Sequence, residues 1–241
     1  MKCLLRSESG RTKEGSAVPA GTCPNRKRLP SAKALGYYLL MKILALELSS
    51  ARGSLALVNS GKDEFFREWP NDRKNSGPFF EYLAEVQKQF GKPDTIIVGL
   101  GPGSYAGSRI AISAAIGLQG ASRAQLIGFP SICAIECDTP EYCVIGDARR
   151  QTFFFASIRN NDLIDGPNLM TEAELREKLD KLDRKMSIFA TEKLPQFERA
   201  ELNYPSAKLL AKLATDRKRQ FVQRPLEPMY LREPHITIPK K

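Results

Sequence analysis

"IIVGLGPGSYAGSRIAISAAIGL" (residues 96–118) carries a β-branched stretch into a Gly-Pro-Gly turn and then into a run of small side chains. Three chemistries use turns of this kind, and spacing tests each. A P-loop needs Gly-Lys-Ser/Thr after four intervening residues, and no Gly-Lys-Ser/Thr occurs. A nucleophile elbow needs Gly-x-Ser-x-Gly, whereas Ser104 directly follows Gly103 and the next glycine is Gly107. Gly101, Gly103 and Ala106 fit the loose dinucleotide pattern, yet "ASRAQLIG" (121–128) stands where an acidic residue should hold a ribose. What remains is a strand-to-helix corner. Its glycines permit positive φ or close approach, Pro102 stiffens it, and Ser104 can cap the helix that follows. That helix is expected over about Tyr105 to Leu118. Gly117 lies inside it at a cost of about 1 kcal/mol relative to alanine, so it requires a packing partner, either within the lobe or on another subunit. The free N–H groups at the corner could also hold an anion.

Working outward, the chain from Met41 divides into two similar halves. "MKILALELSSARGSLALVNSG" is an apolar strand ending in Glu47, a polar turn and a second strand over Ser54–Val58; "EYCVIGDARRQTFFFASIRNN" repeats the plan with Asp147 and Thr152–Ile158. Glu47 and Asp147 are 100 positions apart. The repeat predicts two related lobes, 41–140 and 141–241, with a ligand cleft between them. In the first lobe Phe79, Leu83, Val86 and Phe90 form a helical stripe over 77–93, and "DTIIVGL" is a buried strand. In the second, Thr171 and Glu174 form a capping box, "SIFATE" is a strand, and a helix starts near Pro205 or Ser206. Strands alternating with helices predict an α/β fold with mixed sheets.

Bulk properties agree with a cytoplasmic globular protein. The 241 residues, 42% of them hydrophobic, suffice for a sizeable core. The longest apolar run, "ALGYYLLMKILALEL" (34–48), is interrupted by Lys42 and Glu47 and is shorter than the roughly 20 residues that cross a bilayer. Five cysteines with one histidine match no zinc pattern and indicate buried, reduced thiols. The net charge is +10, but residues 1–40 hold eight Lys/Arg against two Asp/Glu, which leaves +4 for the rest. That basic, Gly/Ser/Pro-rich segment has no apolar period and reads as disordered. Met41 opens so clean a strand that translation starting there is the second expectation, with residues 1–40 an upstream misreading of the gene.

"ILALELSSARGSLALV", "GLGPGSYAGSRIAISAAIGL", "IGFPSICAIE", "IGDARRQTFFFASI" and "PMYLREP" together resemble the TsaB (YeaZ) family over about residues 41–234. The centre of the resemblance is the family's GPGSFTGxR signature, here Gly101, Pro102, Gly103, Ser104, Tyr105, Ala106, Gly107, Ser108 and Arg109. It implies an actin-like (ASKHA, ribonuclease H-like) two-lobed fold. It also implies a non-catalytic scaffold of the bacterial machinery for threonylcarbamoyladenosine (t6A) in tRNA, which binds and activates the transferase TsaD, with the ATPase TsaE as third partner. That complex moves a threonylcarbamoyl group from its adenylate to the adenosine beside the anticodon.

The residues bear on the non-catalytic expectation directly. Active actin-like proteins hold phosphates and metal on an Asp-x-Gly turn at the start of each lobe. This chain has Glu47-Leu48-Ser49 and Asp147-Ala148-Arg149, and a long side chain at the glycine position argues against independent ATP hydrolysis and against a metal. TsaD binds metal through a His-x-x-x-His pair, which a chain whose one histidine is His235 cannot supply. No cofactor of its own is expected, with ATP or ADP assigned at most to a subunit interface of the complex. Departures from the family are Glu47 for Asp, Ala106-Gly107-Ser108 for Thr-Gly-Leu/Val, and Asn75-Ser76 where histidine is common.

For the TsaD surface the resemblance points to the first two helices of the first lobe, nominating Phe80, Ala84 and Gln87 on one and Ile112, Ser113, Ile116 and Gly117 on the other. The same face would make a homodimer in isolation. Arg149, Arg150 and the "DRKRQ" run (216–220) are candidates for tRNA contacts inside the complex, against the plainer reading of a solvated face. The alternative is a small-molecule kinase or ATPase of the actin-like superfamily, which would need the missing glycine turns. A protease would need a nucleophile with a base, and a stand-alone tRNA binder would rest on the charge of residues 1–40.

Overall fold

In the computed structural model, which describes residues 41–71, 75–216 and 218–232, each half of the chain builds a five-stranded mixed sheet. In the first, β1 (Lys42–Glu47) pairs antiparallel with β2 (Arg52–Asn59), which pairs with β3 (Lys62–Pro70). After α1 (Gly77–Phe90), β4 (Thr95–Gly99) lies parallel to β1; after α2 (Tyr105–Ser122), β5 (Gln125–Phe129) lies parallel to β4. The second sheet repeats the plan. β6 (Glu141–Asp147), β7 (Thr152–Arg159) and β8 (Asp162–Thr171) are antiparallel, and β9 (Ser187–Ala190) follows α3 (Glu172–Asp180) to lie parallel to β6. A 3-10 turn (Ser131–Ala134) between β5 and β6, the two-residue β10 (Glu201–Leu202) and α4 (Ala207–Leu213) complete the described elements. The sheet orders β3-β2-β1-β4-β5 and β10-β9-β6-β7-β8 put β1 and β6 in corresponding places, so Glu47 and Asp147 end equivalent strands.

Strand alternation explains the layers. On β1, Leu44 and Leu46 face outward under α1 and α2, with Phe79, Leu83 and Val86 of α1 and Ala111 and Ala115 of α2 above them. Ile43 and Ala45 face the other way, toward a core shared with Tyr142, Val144 and Phe154 of the second sheet and with Leu210 of α4. A third cluster places Leu175 and Leu179 of α3 on the outer face of the second sheet. The stripe on α1 buries as its spacing predicts, and Thr171 caps α3 in a reciprocal box, its Oγ accepting from the Glu174 N–H. Three free thiols are described, and burial pushes the Cys133 thiol up to about 12.

The last elements cross back to the first lobe. The N–H of Ala207, at the start of α4, donates to Ser54 Oγ on β2 (2.9 Å). Beyond α4, Val222 and Gly128 exchange two backbone hydrogen bonds, and the Met229 N–H donates to Leu100 O (2.7 Å). A division at residue 140 therefore separates the sheets but not the chain segments that cover them. Residues 1–40 and His235 lie outside the described residues.

Candidate functional site

The hairpin turns after β1 and β6 face each other across a cleft of about 660 Å³, with Ser49 and Ser104 on one wall and Asp147, Arg149 and Glu192 on the other. Residues 228–232 close one side, and Arg232 donates to Thr152 Oγ1 on β7. Nothing local in "PMYLREP" marks it as cleft wall; its contacts are with residues more than 75 positions away, such as Thr152.

Glu47 does not reach this cleft. Its side chain is fully buried, Oε1 accepts the Ser49 N–H (2.6 Å), and Oε2 has no hydrogen-bond partner. Gly99 leaves the room it occupies, since a Cβ there would lie 1.7 Å from Oε2. Desolvation raises the Glu47 pKa above its ordinary 4.5, outweighing the lowering influence of the neighbouring Ser49 and Ser131. A raised folded-state pKa means that the unfolded chain loses its proton first as pH rises, so stability is lost from about 4.5 upward to the folded value. Glu47→Gln removes that loss. The variant is expected to equal wild type near pH 4 and to exceed it as pH rises in urea unfolding; a difference independent of pH would show that the Glu47 carboxyl titrates in the folded chain as it does in the unfolded one.

At the second turn Arg149, Arg150 and Gln151 hold φ of +66°, +54° and +58°, the left-handed region that favours glycine. Asp147 Oδ1 accepts the Arg149 N–H (2.6 Å), and Arg149 Nη1 lies 3.1 Å from Asp147 Oδ2. The arginine thus adopts a glycine's backbone conformation and engages both carboxylate oxygens. The Asp147 N–H is committed as well, to Glu192 Oε1 (2.8 Å). Among the described residues no cluster of three or more His, Cys, Asp or Glu could hold a metal.

The Gly-Pro-Gly corner is shaped by the first turn. A Cβ on Gly103 would lie 2.1 Å from Ser49 O, and one on Gly107 would lie 2.0 Å from Leu48 O. In that approach the Ser104 N–H donates to Ser49 O (2.5 Å), and Ser104 Oγ accepts the Gly107 N–H (3.2 Å). Gly101, at φ +94°, donates its N–H to Ser131 Oγ (2.9 Å). Pro102 lies between these glycines, buried. The corner's glycines let α2 sit against the turn of β1–β2, and the N–H groups of Gly101, Ser104 and Gly107 are all engaged within the fold. Arg109 stacks on Tyr105 (5.0 Å) and donates to its hydroxyl (2.7 Å).

Outside the cleft, α1 and α2 lie on the same face of the first sheet. Phe80 is 50% exposed, Ala84 and Gln87 beside it are open, and on α2 Ser113, Ile116 and Gly117 are exposed. Ile112 departs from expectation: it is buried, in the core with Ala111 and Ala115. A Cβ on Gly117 or Gly120 would meet nothing within 4 Å, so no neighbour in this chain uses the space these glycines leave.

Two mixed sheets of one topology, related as a repeat and facing each other across hairpin turns, define an actin-like two-lobed protein. The family model described as TsaD, tRNA N6-adenosine threonylcarbamoyltransferase, matches residues 78–231, and the chain belongs to that family. Among solved structures it is similar to YeaZ from Pseudomonas aeruginosa, at 19% identity and a TM-score of 0.60 over 80% of this chain and 100% of that one. It is similar also to a protein described as uncharacterized, with similarity to peptidase YEAZ, from Pseudomonas aeruginosa, at 20% identity and a TM-score of 0.62 over the same shares. No curated protein matches the sequence. No helix among the described residues is long and apolar enough to cross a membrane.

Proposed function

We propose that this chain is the non-catalytic scaffold of the t6A complex, a cytoplasmic subunit that docks the transferase TsaD through the open faces of α1 and α2. The observation that carries the reading is that face: Phe80 and Ile116 exposed on adjacent helices, with Gly117 leaving room for a backbone that this chain does not provide. TsaE and tRNA join through the complex, and in isolation the face pairs two copies. Any ATP or ADP belongs to a subunit interface. Glu47 sealed beneath the cleft, Asp147 covered by Arg149 and a single histidine support the absence of catalysis by this chain alone.

The test is co-expression with TsaD of the same organism, size exclusion, and a threonylcarbamoylation assay with and without this chain. A stable heterodimer and modification that requires the chain are expected. A chain that ignores TsaD and turns over ATP alone would instead be a small-molecule kinase. Ile116→Arg places a charge on the exposed face without touching the core, so it should remain soluble while TsaD binding is lost. Unchanged co-elution of that variant would move the interface elsewhere.

A further inference from the structure

Tyr105 and Tyr230 are large aromatic residues left 50% and 44% exposed, and they lie together at the mouth of the cleft with ring centroids 5.4 Å apart. Residues of this size are ordinarily buried for most of their 150–250 Å². One comes from the first turn of α2, held by the Ser104 cap, and the other from the returning C-terminal segment. Their pairing is therefore a long-range product of the fold. Arg109 extends the stack on Tyr105, and across the cleft the left-handed turn displays Arg149 and Arg150 at the surface.

The charge balance around the two rings is basic. Arg149, Arg150 and Arg232 line the cleft with Asp147 and Glu192, Arg109 lies over Tyr105 and Glu227 near Tyr230, and Asp147 is already paired with Arg149. Half-open aromatic faces beside guanidinium groups are the combination that binds single-stranded nucleic acid: a π-face takes an unstacked base, and the cations take the adjoining phosphates. A cleft of about 660 Å³ is large enough to admit a nucleotide.

We infer that the Tyr105–Tyr230 pair is a stacking platform for an unpaired base of single-stranded RNA, with Arg150 across the cleft receiving an adjoining phosphate. The inference rests on the proposed place of this chain in a tRNA-modifying complex. It adds a contact, independent of the α1/α2 face, by which the scaffold itself holds RNA. Left-handed backbone at this turn then has a use, since Arg149 folds onto Asp147 while Arg150 stands exposed beside the cleft.

The test uses the full chain and a fluorescein-labelled single-stranded RNA of mixed sequence, about 12 nucleotides long, followed by anisotropy at several salt concentrations. Tyr230→Leu keeps the apolar volume and removes the π-face; it should weaken binding roughly tenfold, whereas Tyr230→Trp should retain it. Arg150→Ala should reduce the slope of log affinity against log salt by about 0.7. RNA binding that is indifferent to Tyr230→Leu overturns the inference, as does a cleft that takes free AMP in a Tyr230-dependent way while RNA does not compete. Co-elution of each variant with TsaD is measured in parallel. A heterodimer with Tyr230-independent RNA binding defeats this inference alone, and loss of the heterodimer in wild type defeats the scaffold reading alone.

Discussion

Gly117→Leu is expected to raise the melting temperature of the isolated chain by about 2–4 °C and to abolish its co-elution with TsaD. The two effects have one cause. Gly117 lies in the interior of α2 with open space where a Cβ would stand, so a leucine meets no obstacle in this chain. The exchange gains about 1 kcal/mol of helix propensity, which for a protein of this length is worth a few degrees. The open space at Gly117 leaves room for a partner to approach the helix closely, and the leucine would hold it away. Calorimetry and size exclusion of the same preparation decide the matter. A variant that is both more stable and fully competent in TsaD binding would remove the open face from the interface.

Gly107→Ala should act in the opposite sense on the same helix. A methyl group there would stand 2.0 Å from Leu48 O, and at Gly103 it would stand 2.1 Å from Ser49 O. Both obstacles are backbone, so no rotamer change relieves them. Either α2 lifts from the β1–β2 turn, losing the hydrogen bond between the Ser104 N–H and Ser49 O, or the turn moves with Glu47 beneath it. The expected loss is about 3 kcal/mol for each substitution, at the upper end of what overpacking costs. Urea unfolding reads it as a lowered midpoint at unchanged slope. Gly117→Ala, ten residues along from Gly107, is the control that shows alanine itself to be harmless in α2. Loss below about 1 kcal/mol at Gly107 would mean that the corner is looser than its contacts imply.

How far these features were legible before any coordinates differs from residue to residue. Glu47 and Asp147 at the ends of matching hairpins were enough to expect two lobes, because a repeat of strand, acidic residue, turn and strand is a local pattern. The stripe on α1 and the Thr171–Glu174 box were local too. β3 and β8 escaped notice because they are edge strands: KDEFFREWP is crowded with charge, and DLIDGPNLMT carries a proline that only an edge tolerates. Ile112 and Ile116 are one helical turn apart, and no pattern along the chain distinguishes them; contact with the core does. Tyr230 and Arg232 came to the cleft through contacts with Tyr105 and Thr152, separations at which a single sequence is silent.

The hydrogen bond from Ala207 to Ser54 joins residues 153 positions apart and has a consequence for the order of events on the ribosome. The inner face of β1 and β2 is covered in part by α4, and the Gly128 edge of β5 is bridged by Val222. A nascent chain that has delivered the whole first sheet still exposes Ile43, Ala45, Ala56 and Val58 to solvent until α4 and Val222 emerge. Completion of the first half waits on synthesis of the second, and through that interval the half-made sheet is a natural client for chaperones.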